Sequence, residues 1–135
     1  MIIEAHGVVV AGQRMASMWM AKDNNLFADA LKVVVRPGTI NIRFEADAHE
    51  RLHTQLLLGS ECVDPGYIRG NRRLVVRECS FNGASAFIVR HQIHPDKSCV
   101  VEIIAPTIPG VYVEALGTLT FEGDGLPRMI VVPSR

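Results

Sequence analysis

The sequence predicts a single, mostly β domain over residues 1–135 that closes into a barrel of about six strands, with one or two short helices. The chain has 135 residues without an interdomain linker or internal repeat, which is typical of one domain. Aromatic residues make up only 6% of the chain while Val, Ile, Leu and Gly are plentiful, and this mixture favours short strands and tight turns. Apolar residues also alternate in several short runs, and closing such strands into a barrel removes exposed sheet edges.

In the first third of the chain, residues 2–10 begin with alternating apolar and polar side chains and end in an apolar run, which predicts the first strand. A methionine-rich apolar patch follows at 15–20; we interpret it as core packing, with the lining of a flat apolar ligand as the alternative. Asn and Asp residues next to this patch predict a cap for a short helix over 26–31. A Pro-Gly turn then precedes a strand over 39–44.

Alternation within the strand over 39–44 assigns its side chains to two faces. The apolar side chains are expected to face the core: Ile40, Ile42 and Phe44. The polar side chains are expected on the other face: Thr39, Asn41 and Arg43. Ile103 and Val75, from later strands, are expected to join the same core.

In the rest of the chain, apolar residues at helical spacing predict a helix over 46–58 that ends at Gly59. Asn82 and Gly83 form a strong hairpin signal between two strand-like runs. The remaining predicted segments are a loop at 61–70, strands at 72–79, 84–92, 99–105, 119–121 and 129–132, and a turn at 122–125.

Composition excludes several classes of partner. The 14 Lys and Arg residues balance 14 Asp and Glu residues, so the chain lacks the cationic field with which nucleic-acid binders displace counterions. No apolar run reaches the roughly 18 residues that a membrane span needs, and the first residues lack the basic segment of a targeting signal. Cys62, Cys79 and Cys99 form no C-x-x-C pair and no disulfide framework, so we expect buried, reduced thiols and a cytoplasmic protein.

Thr39 and Asn41 form the first candidate site, because both offer neutral oxygen atoms on one side of a strand. Such ligands suit a Mg²⁺ ion whose charge is balanced mostly by the phosphates of a bound nucleotide. The alternative is that they form the polar face of an exposed strand.

Two segments carry a resemblance to a known family. Residues 37–42 (PGTINI) resemble the P-G-T-L-N-[VL] motif of the archaeal CTP-dependent riboflavin kinases, and 101–106 (VEIIAP) resembles their E-[IV]-I-A-P segment. Residues 7–12 are similar to the G-x-V-x-S-G entry of that family, so the resemblance extends from about Gly7 to Pro106.

This resemblance implies a six-stranded barrel of the cradle-loop type that transfers the γ-phosphate of CTP to the 5′-hydroxyl of riboflavin with Mg²⁺, giving FMN. Thr39 and Asn41 would then hold the metal, and Glu102 would orient or deprotonate a hydroxyl as the catalytic carboxylate. The candidate residues for nucleotide or flavin binding are Gly12, Arg14, Ser17, Gly38, His94 and Lys97.

The chain departs from the family in two places. The glycine-rich G-x-G-x-G loop is replaced by residues 12–17 (GQRMAS), where Arg14 either supplies charge to phosphates or fills the nucleotide's place. After Pro106, a Leu-Arg pair before a short helix is replaced by residues 107–110 (TIPG), and this proline disfavours the helix start. A barrel that binds a nucleotide or flavin without catalysis is therefore the alternative function.

Residues 49–53 (HERLH) match the H-E-x-x-H pattern, which on a helix places His49 and His53 on one face where they could bind Zn²⁺. A zinc hydrolase is thus a third candidate, with His91, His94 or Asp47 as conceivable further ligands. We favour a solvated helix face over a catalytic zinc site. The polar segment 90–97 joins two strands at a barrel rim, where His94 or Lys97 could contact a phosphate or simply form a charged connection.

Overall fold

The structure, a computed structural model, describes residues 2–11, 29, 31–34, 39–58, 67–68, 71–90, 99–106, 111–123 and 128–132. Within these ranges the chain forms eight strands and one bounded helix. They are β1 (Ile2–Val10), β2 (Ile40–Arg43), α1 (Ala46–Leu58), β3 (Tyr67–Ile68), β4 (Asn71–Phe81), β5 (Ala84–Arg90), β6 (Val100–Ile104), β7 (Leu116–Glu122) and β8 (Arg128–Val132). Asp29 and Leu31, at the end of the helix predicted over 26–31, are also helical.

Six antiparallel strands close into a barrel in the order β4, β5, β6, β2, β1 and β7, and β7 pairs again with β4. β4 is long enough to pair with β8 through its first half and with β7 through its last two residues. The two-residue strand β3 extends the sheet beside the start of β4. The closed six-stranded barrel predicted from the sequence is therefore confirmed.

The predicted bounds of two elements, 2–10 for β1 and 46–58 for α1, agree with the structure. The loop predicted over 61–70 is wrong at β3, because the backbone of Tyr67–Ile68 pairs with the beginning of β4. The strands around 72–79 and 119–121 are longer than predicted. β4 continues to Phe81 because its last two residues pair with β7, and β7 begins at Leu116 because residues 116–118 pair with β1.

The core fills the barrel interior, where Leu52 of α1 is buried and Ala48 of the same helix packs against it. Ile42, Phe44 and Ile103 are buried there as predicted. Ile40 is partly buried against the same core. The side chain of Val75 lies outside the described residues. Among the described residues, the buried members of this core cluster are Ala5, Val9, Ile42, Phe44, Leu52, Phe81, Ala86, Ile88, Val101, Ile103, Ala105, Ala115, Leu119 and Phe121.

The predicted Asn-Gly hairpin joins β4 to β5. Asn82 has φ 52° and Gly83 has φ 82°, the pair of positive values that a type I′ turn requires. The backbone N–H of Asn82 also donates to the carbonyl of Thr118 at 2.9 Å, which ties the turn to β7.

Two glycines lie opposite each other on β1 and β7, and both are needed by the core. A Cβ on Gly117 would overlap the ring of Phe81, which is fully buried. A Cβ on Gly7 would lie 2.6 Å from Cγ2 of Ile42 and 2.9 Å from the ring of Phe44. Since Gly7 pairs with Gly117 in the ladder, this bare patch of backbone makes room for aromatic rings inside the barrel.

Arg77 is a charged residue of β4 that is only 4% exposed. Its Nη2 donates to the carbonyls of Glu122 and Gly123, both at 2.9 Å, at the end of β7. The guanidinium lies 5.2 Å from the centre of the Phe121 ring, within the range of a cation–π contact. Arg77 therefore fixes the end of β7 against β4.

Cys79 and Cys99 are free thiols, and Cys62 lies outside the described residues. Burial raises the pKa of the Cys79 thiol to about 12, although a hydrogen bond with the backbone of Ile88 has a smaller, opposite effect on this pKa. Cys79 therefore stays protonated at neutral pH and lacks the reactivity of a thiolate.

Candidate functional site

Thr39, Asn41 and Glu102 come together where β2 pairs with β6. Asn41 lies directly opposite Glu102 in the antiparallel ladder, so both side chains emerge on the same face, with Cβ atoms about 4.5–5.5 Å apart. The Nδ2 of Asn41 donates to Oγ1 of Thr39 at 3.3 Å. The fold thus joins the two segments that resemble the family motifs, although they are distant in the sequence.

This cluster lies on the face of the sheet that points away from the barrel interior, since Ile42 faces the core and Asn41 does not. On the neighbouring strands, Val10 of β1 lies opposite Asn41, and Val89 of β5 lies opposite Glu102. Asn41 is nevertheless only 6% exposed and Val89 only 1%. The alternative of an exposed polar strand face is therefore wrong for Asn41.

Burial on both faces is clearest in β5. Three consecutive residues, Phe87, Ile88 and Val89, are each 5% exposed or less, although successive side chains of a strand point in opposite directions. The carboxylate oxygen Oε2 of Glu102 is also buried. Electrostatic interactions are stronger in such a place than in water, so polar groups here have a large effect on any charge near them.

The donor set of this cluster fits a magnesium ion. It offers a hydroxyl, a carboxamide oxygen and a carboxylate, which are the hard oxygen ligands that Mg²⁺ prefers. The hydrogen bond from Nδ2 of Asn41 to Thr39 directs the amide nitrogen toward the hydroxyl and leaves the amide oxygen as an acceptor. Few protein ligands suffice, because Mg²⁺ retains water molecules and takes oxygens from phosphates.

Six predicted binding residues lie outside the described residues: Gly12, Arg14, Ser17, Gly38, His94 and Lys97. Their roles remain predictions. Among the predicted site residues, the structure brings together Thr39, Asn41 and Glu102.

The H-E-x-x-H segment lies on α1, but its residues do not share one environment. His49 is 2% exposed and Leu52 is also buried, whereas Glu50 and Arg51 are exposed. The interpretation of this segment as a solvated helix face is therefore wrong for His49, because the helix turns that residue toward the barrel. The side chain of His53 lies outside the described residues, and the part of the chain that the structure describes contains no group of three or more His, Cys, Asp or Glu able to hold a metal ion.

Arg43 belongs to none of the sequence motifs, although it lies two residues after Asn41 on the same face of β2. It is exposed and pairs in the ladder with Val8 of β1. The strand alternation that relates Thr39 to Asn41 is the signal that identifies it.

No family model matches the chain, and no curated protein matches it in sequence. None of the helices in the described ranges is long and apolar enough to cross a membrane.

Proposed function

We propose that this chain is a Mg²⁺-dependent phosphotransferase of the CTP-dependent riboflavin kinase type, which moves the γ-phosphate of CTP to the 5′-hydroxyl of riboflavin and yields FMN. The observation that supports this proposal is the cross-strand pairing of Asn41 with Glu102, with Thr39 bonded to Asn41. Residues from two separate motifs thus lie together in one partly buried cluster, in which Asn41 and the Oε2 atom of Glu102 are buried.

In this proposal Thr39 and Asn41 hold the metal through their side-chain oxygens. When bound, Mg²⁺ neutralises charge on the phosphate oxygens. The roles of Gly12, Arg14 and Ser17 in receiving the phosphates are proposed from the sequence resemblance. Gly38 is proposed on the same ground, whereas His94 and Lys97 are proposed because they lie in a polar segment that joins two strands at a barrel rim.

Glu102 is the proposed general base. Its carboxylate accepts the proton of the acceptor hydroxyl while the hydroxyl oxygen forms a bond to the γ-phosphorus and the bond from that phosphorus to CDP breaks. Burial of Oε2 limits competition from water for this proton transfer. The need for CTP and the expectation of reduced cysteines both favour a cytoplasmic location.

The test is FMN formation from riboflavin, CTP and Mg²⁺, followed by chromatography. We expect Glu102→Gln to lower kcat by about 100-fold or more, because a general base contributes on the order of 100-fold to 10,000-fold. CTP binding, measured by calorimetry, should change little in this variant. Thr39→Ala and Asn41→Ala should instead raise the Mg²⁺ concentration needed for activity.

The matched control is Glu50→Gln, which changes an exposed carboxylate on α1 in the same way. It should leave FMN formation unchanged. Stabilisation of the wild type by CTP or riboflavin without any FMN would support the alternative of a binding barrel that lacks catalysis. If neither ligand binds the wild type, the proposed function is wrong.

A further inference from the structure

A groove of about 690 Å³ crosses the outer surface of β1 and β7. Residues 43–46, which lead from β2 into α1, form one bank, and Asn82 of the β4–β5 hairpin forms the other. This volume lies within the range of about 300–1,000 Å³ that is usual for small-molecule sites. The lining contains none of Thr39, Asn41 or Glu102, so the groove is distinct from the candidate metal site.

Arg43 brings a positive charge to the first bank. Its side chain is exposed and forms no hydrogen bond or ion pair with another described residue. A guanidinium of this kind binds carboxylate, sulfonate or phosphate groups through two parallel N–H···O hydrogen bonds. An anionic group is therefore the complementary partner for this bank.

Glu45 is the opposing charge on the same bank, and its position reduces its effect. The backbone N–H of His49 donates to the carbonyl of Glu45 at 2.9 Å, which places Glu45 at the N-cap of α1. The positive end of the helix dipole lies there and partly balances a carboxylate. Arg43 is then the less compensated of the two charges.

The far side of the groove is held in place by hydrogen bonds around Thr118. Its backbone N–H donates to Oδ1 of Asn82, and its carbonyl accepts from the backbone N–H of Asn82, both at 2.9 Å. Its hydroxyl lies 2.9 Å from Nδ1 of His6. These bonds leave the amide N–H groups of Asn82 as donors and fix the shape of the wall before any ligand arrives, which lowers the entropic cost of binding.

The floor of the groove is apolar. Leu116 is 78% exposed and lies opposite Val8 in the β1–β7 ladder, so the two side chains form a continuous apolar surface. Covering such a surface is favourable, because it removes apolar area from water. A ligand that fits has an apolar body as well as an anionic group.

We propose that this groove binds a small organic anion with an apolar body, whose charged group is held by Arg43 and whose body covers Leu116 and Val8. The site lies outside the proposed phosphotransfer centre and does not depend on that function. Its two requirements, a charge at one bank and apolar area on the floor, are separately testable.

The probe is 8-anilinonaphthalene-1-sulfonate, an aromatic sulfonate whose fluorescence rises in apolar surroundings, titrated into the folded full chain. We expect one saturable site on the wild type. Arg43→Gln should weaken binding about tenfold or more, as expected for loss of a charge-assisted hydrogen-bonded pair. Leu116→Ser should weaken binding about threefold or more, because it removes one of the two apolar side chains that form the floor. Arg51→Gln, which changes an exposed arginine of α1 outside the groove, is the matched control and should bind like the wild type.

Arg43 and Leu116 are exposed, so both variants should keep the melting temperature of the wild type, and this measurement accompanies each titration. Backbone amide shifts on titration should concentrate at Gly7, Gly117 and Thr118. The proposal is overturned if the wild type binds the probe without saturation, if Arg43→Gln binds as tightly as the wild type, or if the amide shifts lie elsewhere.

Discussion

Asn41→Asp tests directly whether Asn41 and Glu102 share one buried site. The substitution changes shape little but adds a negative charge opposite an existing carboxylate. At neutral pH we expect the variant to lose stability, because like charges directly opposite each other in a ladder repel. The double variant Asn41→Asp/Glu102→Gln should recover most of the loss, since it again pairs one carboxylate with one amide.

The size of this loss follows from the geometry. Two charges about 5 Å apart repel by about 3 kcal/mol at an effective dielectric of about 20, and by less than about 1 kcal/mol in water. Asn41 is only 6% exposed, which places the pair nearer to the first value. We therefore expect a loss of about 2–3 kcal/mol in the free energy of unfolding.

The pH dependence has a definite sign. Two adjacent carboxylates in the folded variant retain a proton to a higher pH than separate carboxylates in the unfolded chain, where the pKa is about 4. The folded variant then binds more protons, so its deficit relative to the wild type is small in acid and grows as pH rises toward neutrality. Added Mg²⁺ should reduce the deficit at neutral pH, because a divalent cation binds the two carboxylates together.

The assay is urea denaturation of the wild type and both variants in acid and at neutral pH, with and without Mg²⁺. Asn82→Asp is the control, because it makes the same change at an exposed position where a carboxylate still accepts the hydrogen bond from Thr118. It should change stability by less than about 0.5 kcal/mol. An equal loss in acid and at neutral pH, or no recovery in the double variant, would show that Asn41 and Glu102 do not interact.

Three further predictions concern the barrel itself. Gly117→Ala should lower the free energy of unfolding in urea by about 3 kcal/mol or more, because the added Cβ overlaps the ring of Phe81. Adding Phe81→Leu should restore part of this loss, and no restoration would contradict the proposed overlap. Arg77→Ala should lower the free energy of unfolding by about 3 kcal/mol or more in the same assay, since it removes the donor of two hydrogen bonds and leaves a cavity. A loss below about 1 kcal/mol would show that these bonds contribute little to stability. Cys79 should resist alkylation in the native protein at neutral pH, because burial raises its pKa to about 12, and should react after denaturation; mass spectrometry of the labelled peptides measures both.

Local sequence predicts those elements whose signals are local. The period-two pattern of residues 2–10 and the helical spacing of 46–58 reproduce the bounds of β1 and α1. The Asn82-Gly83 pair predicts the hairpin because few other residues adopt two successive positive φ values. Alternation likewise places Thr39 and Asn41 on the face opposite Ile42.

Burial of polar residues was harder to predict, because it depends on which parts of the chain pack together. Alternation assigns Asn41 to a face but does not say whether that face is covered, so its burial was missed. Arg77 was missed for a related reason, although one signal was available. Counting back from the hairpin pairs Arg77 with Ile88, which places an arginine on the same face as core side chains.

The seam between β4 and β7 gives this barrel an uneven resistance to opening. Only two ladder pairs join these strands, and they link residues that lie 40 positions apart (Ser80 and Thr120) and 38 positions apart (Phe81 and Leu119). Side chains supplement them, through the hydroxyl contact of Ser80 with Thr120 and the clamp of Arg77 on the end of β7. Pairings of this sequence separation carry a larger loop-closure cost than the adjacent β4–β5 hairpin, so we expect the seam to form after that hairpin. We therefore expect local opening of the barrel to begin at the seam between β4 and β7, before the β4–β5 hairpin separates.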